Sequence, residues 1–291
     1  MWADIERSIA EATAAPFHIE SRTPVGGGCI NAAFRVAGSG RAYFVKTSAP
    51  HTADAFAAEA AGLAEIARSQ TVRVPQPVCH GSNSEAGWLA LEFIDFGSAR
   101  RDSSGALGQA LAAMHRVTAP RFGWQRDNAI GATPQPNTPC EDWAEFWREH
   151  RLGFQLALAE HNGAPKSLLA KGERLLRDFP ALLAGCGVEA ALLHGDLWGG
   201  NAGFDRAGTP VIYDPAVYYG HREADLAMTE LFGGFNRDFY AAYREAFPLA
   251  VGYDVRKQLY NLYHILNHYN LFGGGYARQA ETTIECLLAE I

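Results

Sequence analysis

No run of five basic residues occurs in the 291-residue chain, and 25 Lys and Arg stand against 32 Asp and Glu, for a net charge of −7. A nucleic-acid-binding surface needs an excess of cations to meet the phosphate backbone, so that class is set aside. The five cysteines (Cys29, Cys79, Cys140, Cys186 and Cys286) are scattered, odd in number and without C-x-x-C spacing, so neither a disulfide framework nor a zinc site is indicated. No apolar run approaches membrane-spanning length, and the start Met1-Trp2-Ala3-Asp4-Ile5-Glu6-Arg7 does not read as a signal peptide. A soluble cytoplasmic protein is expected, with no nucleic-acid or membrane partner.

What is present is ordinary for a soluble enzyme: 48% hydrophobic and 20% charged residues, in a chain long enough for one large domain or two lobes. The most informative stretch is Leu192-Leu193-His194-Gly195-Asp196-Leu197-Trp198-Gly199-Gly200-Asn201, followed by Pro210-Val211-Ile212-Tyr213-Asp214-Pro215. It reads as an apolar strand, a loop with one carboxylate and one amide, and a second apolar strand ending in another carboxylate. Asp196 and Asn201 stand at the Asp-x-x-x-x-Asn interval of a kinase catalytic loop, with His194 two residues before the Asp. Gly195 replaces the arginine of protein kinases, and Pro215-Ala216 replaces the Phe-Gly after the metal-binding Asp. One carboxylate to orient a hydroxyl, with Asn201 and Asp214 to hold Mg²⁺ on a triphosphate, is the minimum set for phosphoryl transfer. His-Gly-Asp alone would also suit an ordinary turn leaving a strand.

Ahead of this stretch, residues 4–13 read as a short amphipathic helix with Ile5, Ile9 and Ala12 on one side. Strands are expected at 17–21, 23–25, 31–36 and 42–47, with Gly38-Ser39-Gly40 as a hairpin turn. Gly26-Gly27-Gly28 lies between two of them, either as a plain hairpin or as a loop whose N–H groups reach phosphates unobstructed by Cβ atoms. Lys46 ends an apolar strand and needs a phosphate or carboxylate partner. Thr52 can cap a helix running to about Arg68, on which Glu59 can point inward to Lys46 while Glu65 faces solvent. Such a pair fixes the lysine for the α/β-phosphates. Residues 87–96 read as a strand leading into a hinge, where backbone groups near Glu92 and Ile94 would bond adenine.

Beyond the hinge the composition turns helical. Ser103 or Ser104 opens a helix to about Val117, with His115 beside its apolar stripe in a structural role. Residues 119–141 are expected to form a long structureless loop of the kind used as a lid. Asp142-Trp143-Ala144-Glu145 suggests a capping box for a helix to Glu160, and Pro165 suits the first turn of another ending near Leu183. Asp225 begins a helix and could accept backbone N–H bonds from the catalytic loop, or serve only as an N-terminal helix acid. Later helices are expected near 236–246, 254–271 and 275–289, with His264 packing and His268 able to reach a substrate.

Taken together these residues resemble the fructosamine kinase (ketosamine-3-kinase) family. The matching text is Gly26-Gly27-Gly28-Cys29-Ile30-Asn31, Tyr43-Phe44-Val45-Lys46-Thr47, Glu59-Ala60-Ala61-Gly62-Leu63 and the His194–Asn201 stretch. It continues through Tyr218-Tyr219-Gly220-His221-Arg222-Glu223-Ala224-Asp225-Leu226-Ala227-Met228 and Leu231-Phe232-Gly233-Gly234-Phe235, so that it spans about residues 16 to 275. Trp198 and the run from Tyr219 to Asp225 point to this family in particular, since His-Gly-Asp is shared with choline, homoserine and aminoglycoside kinases. The resemblance implies an α+β, protein-kinase-like two-lobed fold. Its small antiparallel-sheet lobe would cover residues 1–95 and its mainly helical lobe residues 96–291.

It also implies an ATP- and Mg²⁺-dependent kinase that phosphorylates a sugar hydroxyl, typically the 3-hydroxyl, of free or protein-bound ketosamines in deglycation or metabolite repair. In that scheme Asp196 is the base, Asn201 and Asp214 hold Mg²⁺, and Lys46 clamps phosphate with Glu59 as its partner. Trp198 would offer a flat face to the sugar-amine, and His268 would contact substrate. His194 and Asp225 would support the loop. Cys29 stands where family members carry a redox-linked cysteine, so the molecule is a monomer or a redox-sensitive homodimer; a small apolar turn residue is the other reading. A choline- or aminoglycoside-type kinase and a non-catalytic nucleotide-binding pseudokinase are the alternatives.

Overall fold

The computed structural model describes residues 1–26 and 31–291. Gly27, Gly28 and Cys29 therefore lie outside the described residues. The smaller lobe begins with α1 (Trp2–Thr13), then β1 (Ser21–Pro24), β2 (Ala32–Gly38), β3 (Arg41–Ser48), α2 (Ala53–Ser69), β4 (Pro77–Ser82) and β5 (Gly87–Glu92). The five strands form an antiparallel sheet in the order β1-β2-β3-β5-β4. Ile5 and Ile9 of α1, one helical turn apart, pack with Phe17, Val36, Tyr43, Val45, Trp88 and Ala90 into a small core on one side of this sheet.

The larger lobe continues with β6 (Phe96–Gly97), α3 (Ser103–Met114), β7 (Asn128–Ile130), β8 (Thr133–Gln135) and α4 (Trp143–Trp147). A π-helical turn (Arg148–Leu152) joins α4 to α5 (Gly153–His161), which is followed by α6 (Lys166–Asp178). Then come β9 (Ala191–Leu193), β10 (Ala202–Asp205), β11 (Pro210–Ile212) and β12 (Tyr218–Gly220). Four helices end the chain: α7 (Glu223–Leu231), α8 (Arg237–Ala246), α9 (Tyr253–Phe272) and α10 (Tyr276–Ala289). The large core runs through these helices and reaches Phe56, Leu63 and Ile66 of α2 and Leu89 and Leu91 of β5, so it also covers the other side of the small sheet. Among the described residues no helix is long and apolar enough to cross a membrane.

Several local expectations change. Residues 119–141 are not structureless: β7 and β8 make a hairpin, and Phe122 pairs with Cys140. Gly131, at φ +63°, makes the tight turn, and the side chains that hold the segment are polar, buried and remote. Arg151, on the π-helical turn, donates to Pro136 O at 2.6 Å and to Asn137 Oδ1 at 2.6 Å. Thr52 precedes α2, but its hydroxyl donates to Ala49 O at 2.7 Å and caps nothing. Asp142 accepts from Glu145 N–H at 2.7 Å, the forward half of the expected capping box. The helix from Ser103 ends at Met114, three residues early.

Candidate active site

The His194–Asn201 stretch folds as a loop between β9 and β10, with Asp214 just beyond β11. β9 pairs with β12 and β10 pairs with β11, so both ends of the loop and the residue after β11 are anchored on short strands. Gly195 adopts φ +83°, and a Cβ there would lie 2.0 Å from Ala216 O. Only glycine fits, which explains why the arginine of protein kinases is replaced.

Lys46 is buried in β3, yet its Nζ lies 2.8 Å from Glu59 Oε1 and 2.5 Å from Asp214 Oδ1. Burial alone would strip the proton from this amine; the two carboxylates overrule it and raise its pKa. Glu59 is pushed up to about 7 by burial, opposed by Lys46 and reinforced by Asp214. Asp196 is likewise pushed up to about 7, first by burial and then by the charge of Asp214, with Asn201 opposing. Asn201 Nδ2 donates to Asp196 O at 2.9 Å and to Asp196 Oδ2 at 3.2 Å. Asp214 holds φ +56°, a left-handed conformation rarely adopted by residues with a side chain.

The structure thus brings Lys46, Glu59, Asp196, Asn201 and Asp214 together. Two carboxylates, Glu59 and Asp214, share one lysine; the third, Asp196, is met only by the Asn201 amide, and Asn201 Oδ1 accepts no hydrogen bond from a described residue. Hard oxygen donors with surplus negative charge suit a divalent cation such as Mg²⁺.

Asp225 sits underneath. It is buried and accepts from His194 N at 2.7 Å, from Gly195 N at 2.8 Å and from His115 Nε2 at 3.2 Å. Burial pushes this carboxyl up, but the hydrogen bonds and neighbouring histidines bring it below its ordinary value. His194 accepts from Asp196 N–H on Nδ1 at 3.3 Å, so its Nε2 carries the proton and donates to Tyr213 O at 2.9 Å. Burial keeps this ring neutral by lowering its pKa. His115, expected to be only structural, is the third donor to Asp225.

On the hinge side Glu92 differs from expectation. Its N–H donates to Gln76 O at 2.8 Å, leaving only its carbonyl for an adenine, and its carboxylate accepts from Arg73 at 2.7 Å. Arg73 also reaches Asp205 Oδ2 at 2.5 Å, tying the hinge to β10. Ile94 N–H donates to no described residue. Gly26 is exposed with open space around it.

Trp198 is 38% exposed, and its ring lies 6.5 Å from Phe232, itself 43% exposed. Phe232 in turn packs 4.8 Å from His268, which touches Phe272 and Tyr276 at 5.7 and 5.2 Å. His268 Nδ1 donates to His264 O at 2.8 Å, which leaves Nε2 as an acceptor when the ring is neutral. Gly199 and Gly234 meet beside this arc: a Cβ on Gly199 would lie 2.8 Å from Gly234 Cα. In the sequence Phe232 stands out only as part of the Leu231–Phe235 motif. Its signal was a large aromatic just ahead of two glycines, which the fold leaves uncovered. Glu65, expected to face solvent, instead accepts from Tyr219 Oη at 2.7 Å.

A family model for fructosamine kinase matches residues 1–290. The chain belongs to the fructosamine kinase family. A probable ketoamine kinase of Synechocystis sp. is 48% identical over 292 residues, covering 98% of this chain and 97% of that one. The chloroplastic protein-ribulosamine 3-kinase of Arabidopsis thaliana is 44% identical over 264 residues, covering 90% of this chain and 80% of that one. Among solved structures, a candidate fructosamine-3-kinase from Haemophilus somnus matches with a TM-score of 0.90 at 28% identity, covering 99% of this chain and 98% of that one. An aminoglycoside phosphotransferase matches with a TM-score of 0.64 at 14% identity over 98% of both chains, a likeness of fold alone. The fold is the two-lobed α+β architecture of such kinases, and this fructosamine kinase relative is a phosphotransferase acting on a hydroxyl group.

Proposed function

We propose that the chain transfers the γ-phosphoryl group of ATP to a sugar hydroxyl, the 3-hydroxyl, of a ketosamine such as a ribulosamine or fructosamine adduct. The observation that carries this is the meeting of Lys46 with Glu59 and Asp214, beside the Asp196–Asn201 pair. Residues 1–95 would form the nucleotide-covering lobe and residues 96–291 the catalytic and acceptor lobe. Lys46 would hold the α/β-phosphates in place of its contact with Asp214, with Glu59 retaining the amine. Ile94 N–H and the Glu92 carbonyl would meet adenine. Asn201 Oδ1 and Asp214 would hold Mg²⁺, which supplies charge neutralisation on the phosphate oxygens when bound.

Asp196 would orient the acceptor hydroxyl and take its proton as the oxygen bonds to the γ-phosphorus and the bond to the β–γ bridging oxygen breaks. A carboxyl with pKa near 7 suits this exchange at neutral pH. Asp225 and His194 would fix the loop, and Trp198, Phe232 and His268 would line the acceptor side. That side is aromatic, which favours sugar C–H faces and a single ammonium over the polycationic substrate of an aminoglycoside-type kinase.

A coupled ADP-release assay with a ribulosamine, choline and an aminoglycoside tests the reading. Turnover is expected with the ribulosamine, and Asp196→Ala is expected to keep nucleotide binding while losing transfer by several orders of magnitude. Retained turnover in that variant, or turnover with choline alone, would overturn it. NMR of the product identifies the hydroxyl.

A further inference from the structure

The partner of Lys46 rides on α2, and α2 has an unusually smooth surface. Eight of its 17 residues are alanine and one is glycine. Phe56, Leu63 and Ile66 anchor one stripe in the core, but the small side chains over the rest of the surface make shallow ridges and add little resistance to rotation. Glu59 is largely buried, and its one cationic partner among the described residues is Lys46, on a different element. A rotation of roughly 15° would carry the Glu59 carboxylate about 1.5 Å and break the pair.

Directional contacts come from two places: Arg126 donates at long range to Ala57 O (3.3 Å) and Asp54 O (3.4 Å) in the first turns of α2, and the segment that follows Asp214 holds the later turns. Tyr219 Oη donates to Glu65 Oε1 at 2.7 Å, across 154 residues of sequence. The other Glu65 oxygen pairs with Arg68, and the side chain is 15% exposed. Burial and the adjacent carboxylate both raise the pKa of the Tyr219 phenol, so it remains a donor throughout the neutral range. Tyr219 cannot drift, because its N–H donates to Gly123 O at 2.8 Å and its carbonyl accepts from Gly123 N–H at 2.9 Å. Nearby, the missing side chain of Gly62 lets α2 rest on this segment: a Cβ there would lie 3.1 Å from Val217 Cγ2.

We propose that Tyr219 is a positioning residue for phosphoryl transfer, whose hydroxyl fixes through Glu65 the rotation of α2 at which Glu59 meets Lys46. The proposal rests on Lys46 being the phosphate clamp. Glu59 and Glu65 are six residues apart, about 240° around the helix, so a rotation that moves one moves the other. The small lobe's clamp is thereby referenced to the same segment that carries Asp214.

The test is calorimetric binding of Mg·ADP, which needs no acceptor, together with steady-state kinetics. Tyr219→Phe keeps the ring and loses the donor; Glu65→Ala loses the acceptor; Glu65→Gln keeps an oxygen that the phenol can reach. Tyr219→Phe and Glu65→Ala are expected to weaken Mg·ADP about five- to tenfold and raise the nucleotide KM, with the acceptor KM within about twofold of the parent. Glu65→Gln should stay near the parent, and the Tyr219→Phe/Glu65→Ala double variant should be no worse than either single one. Unchanged Mg·ADP affinity in Tyr219→Phe, or a Glu65→Gln variant as weak as Glu65→Ala, overturns the proposal. A Lys46→Ala variant separates the two ideas: if it binds Mg·ADP as the parent does, the clamp itself is wrong.

Discussion

Replacing Asp196 by asparagine should make the protein more stable and nearly inactive. Burial and the charge of Asp214 lift this carboxyl from its ordinary 3.8 to about 7. Each pKa unit corresponds to about 1.4 kcal/mol, so the ionised form carries at most roughly 4 kcal/mol of unfavourable free energy in the folded chain. The residue keeps partial solvent access, so the gain from removing the charge should be nearer ~2 kcal/mol. For a chain of this size that is about 3 °C in Tm. The asparagine oxygen can still accept from Asn201 Nδ2, as Asp196 Oδ2 does at 3.2 Å, so the gain is not offset by a lost hydrogen bond. The sign follows from the raised pKa. Below about pH 4 the carboxyl is protonated folded or unfolded, and parent and variant should melt alike. Between about pH 4 and 7 the unfolded chain loses the proton while the folded chain retains it, and the parent falls behind; above about pH 7 the gap is full. Thermal melts of both proteins across pH 5 to 8.5, without nucleotide or Mg²⁺, read this directly. An Asp196→Asn variant no more stable than the parent at pH 8, or equally favoured at pH 5 and pH 8, would show that the carboxylate is not strained and would remove the reason for its near-neutral pKa.

Trp198 is partly covered: its ring lies over Gly200, where a Cβ would meet the indole at 2.2 Å, and Phe232 is 6.5 Å away. Trp198→Ala should therefore cost about 1–2 kcal/mol of stability while raising the ketosamine KM at least about tenfold, with Mg·ADP affinity unchanged by calorimetry. Asp225→Asn presents an amide to three converging N–H donors and should cost about 3 kcal/mol in denaturant unfolding. Asp214→Asn removes the second cause of the Asp196 shift, so the Asp196 carboxyl should titrate at lower pH by carbon NMR; an unmoved titration would assign the whole shift to burial.

The Asp196–Asn201–Asp214 cluster was legible because its constraints are local. Asp196 and Asn201 are joined by one short turn, and Asp214 closes the next hairpin, so spacing alone carries the geometry. Lys46 and Glu59 could be paired because a charge on an apolar strand and an acid on the inward face of the next helix have few other solutions. What escaped was held by remote partners. Nothing near Glu65 announces Tyr219, and nothing in residues 119–141 announces the Arg151 side chain that anchors them. Thr52 had a carbonyl three residues back as a competing acceptor, which local propensity does not weigh. The hinge is expected from position alone, and the use of the Glu92 N–H by the Gln76 carbonyl depends on how β4 is registered against β5.

Where Gly199 and Gly234 touch, two stretches of main chain are in van der Waals contact with no side chain between them. The junction works as a welded seam: the loop bearing Trp198 and the stretch bearing Phe232 are held at a fixed spacing from each other. Neither glycine tolerates a methyl group, so this width is closed to gradual adjustment. With these rings on the proposed acceptor side, divergence in acceptor preference is expected to proceed by exchanging rings along the rim.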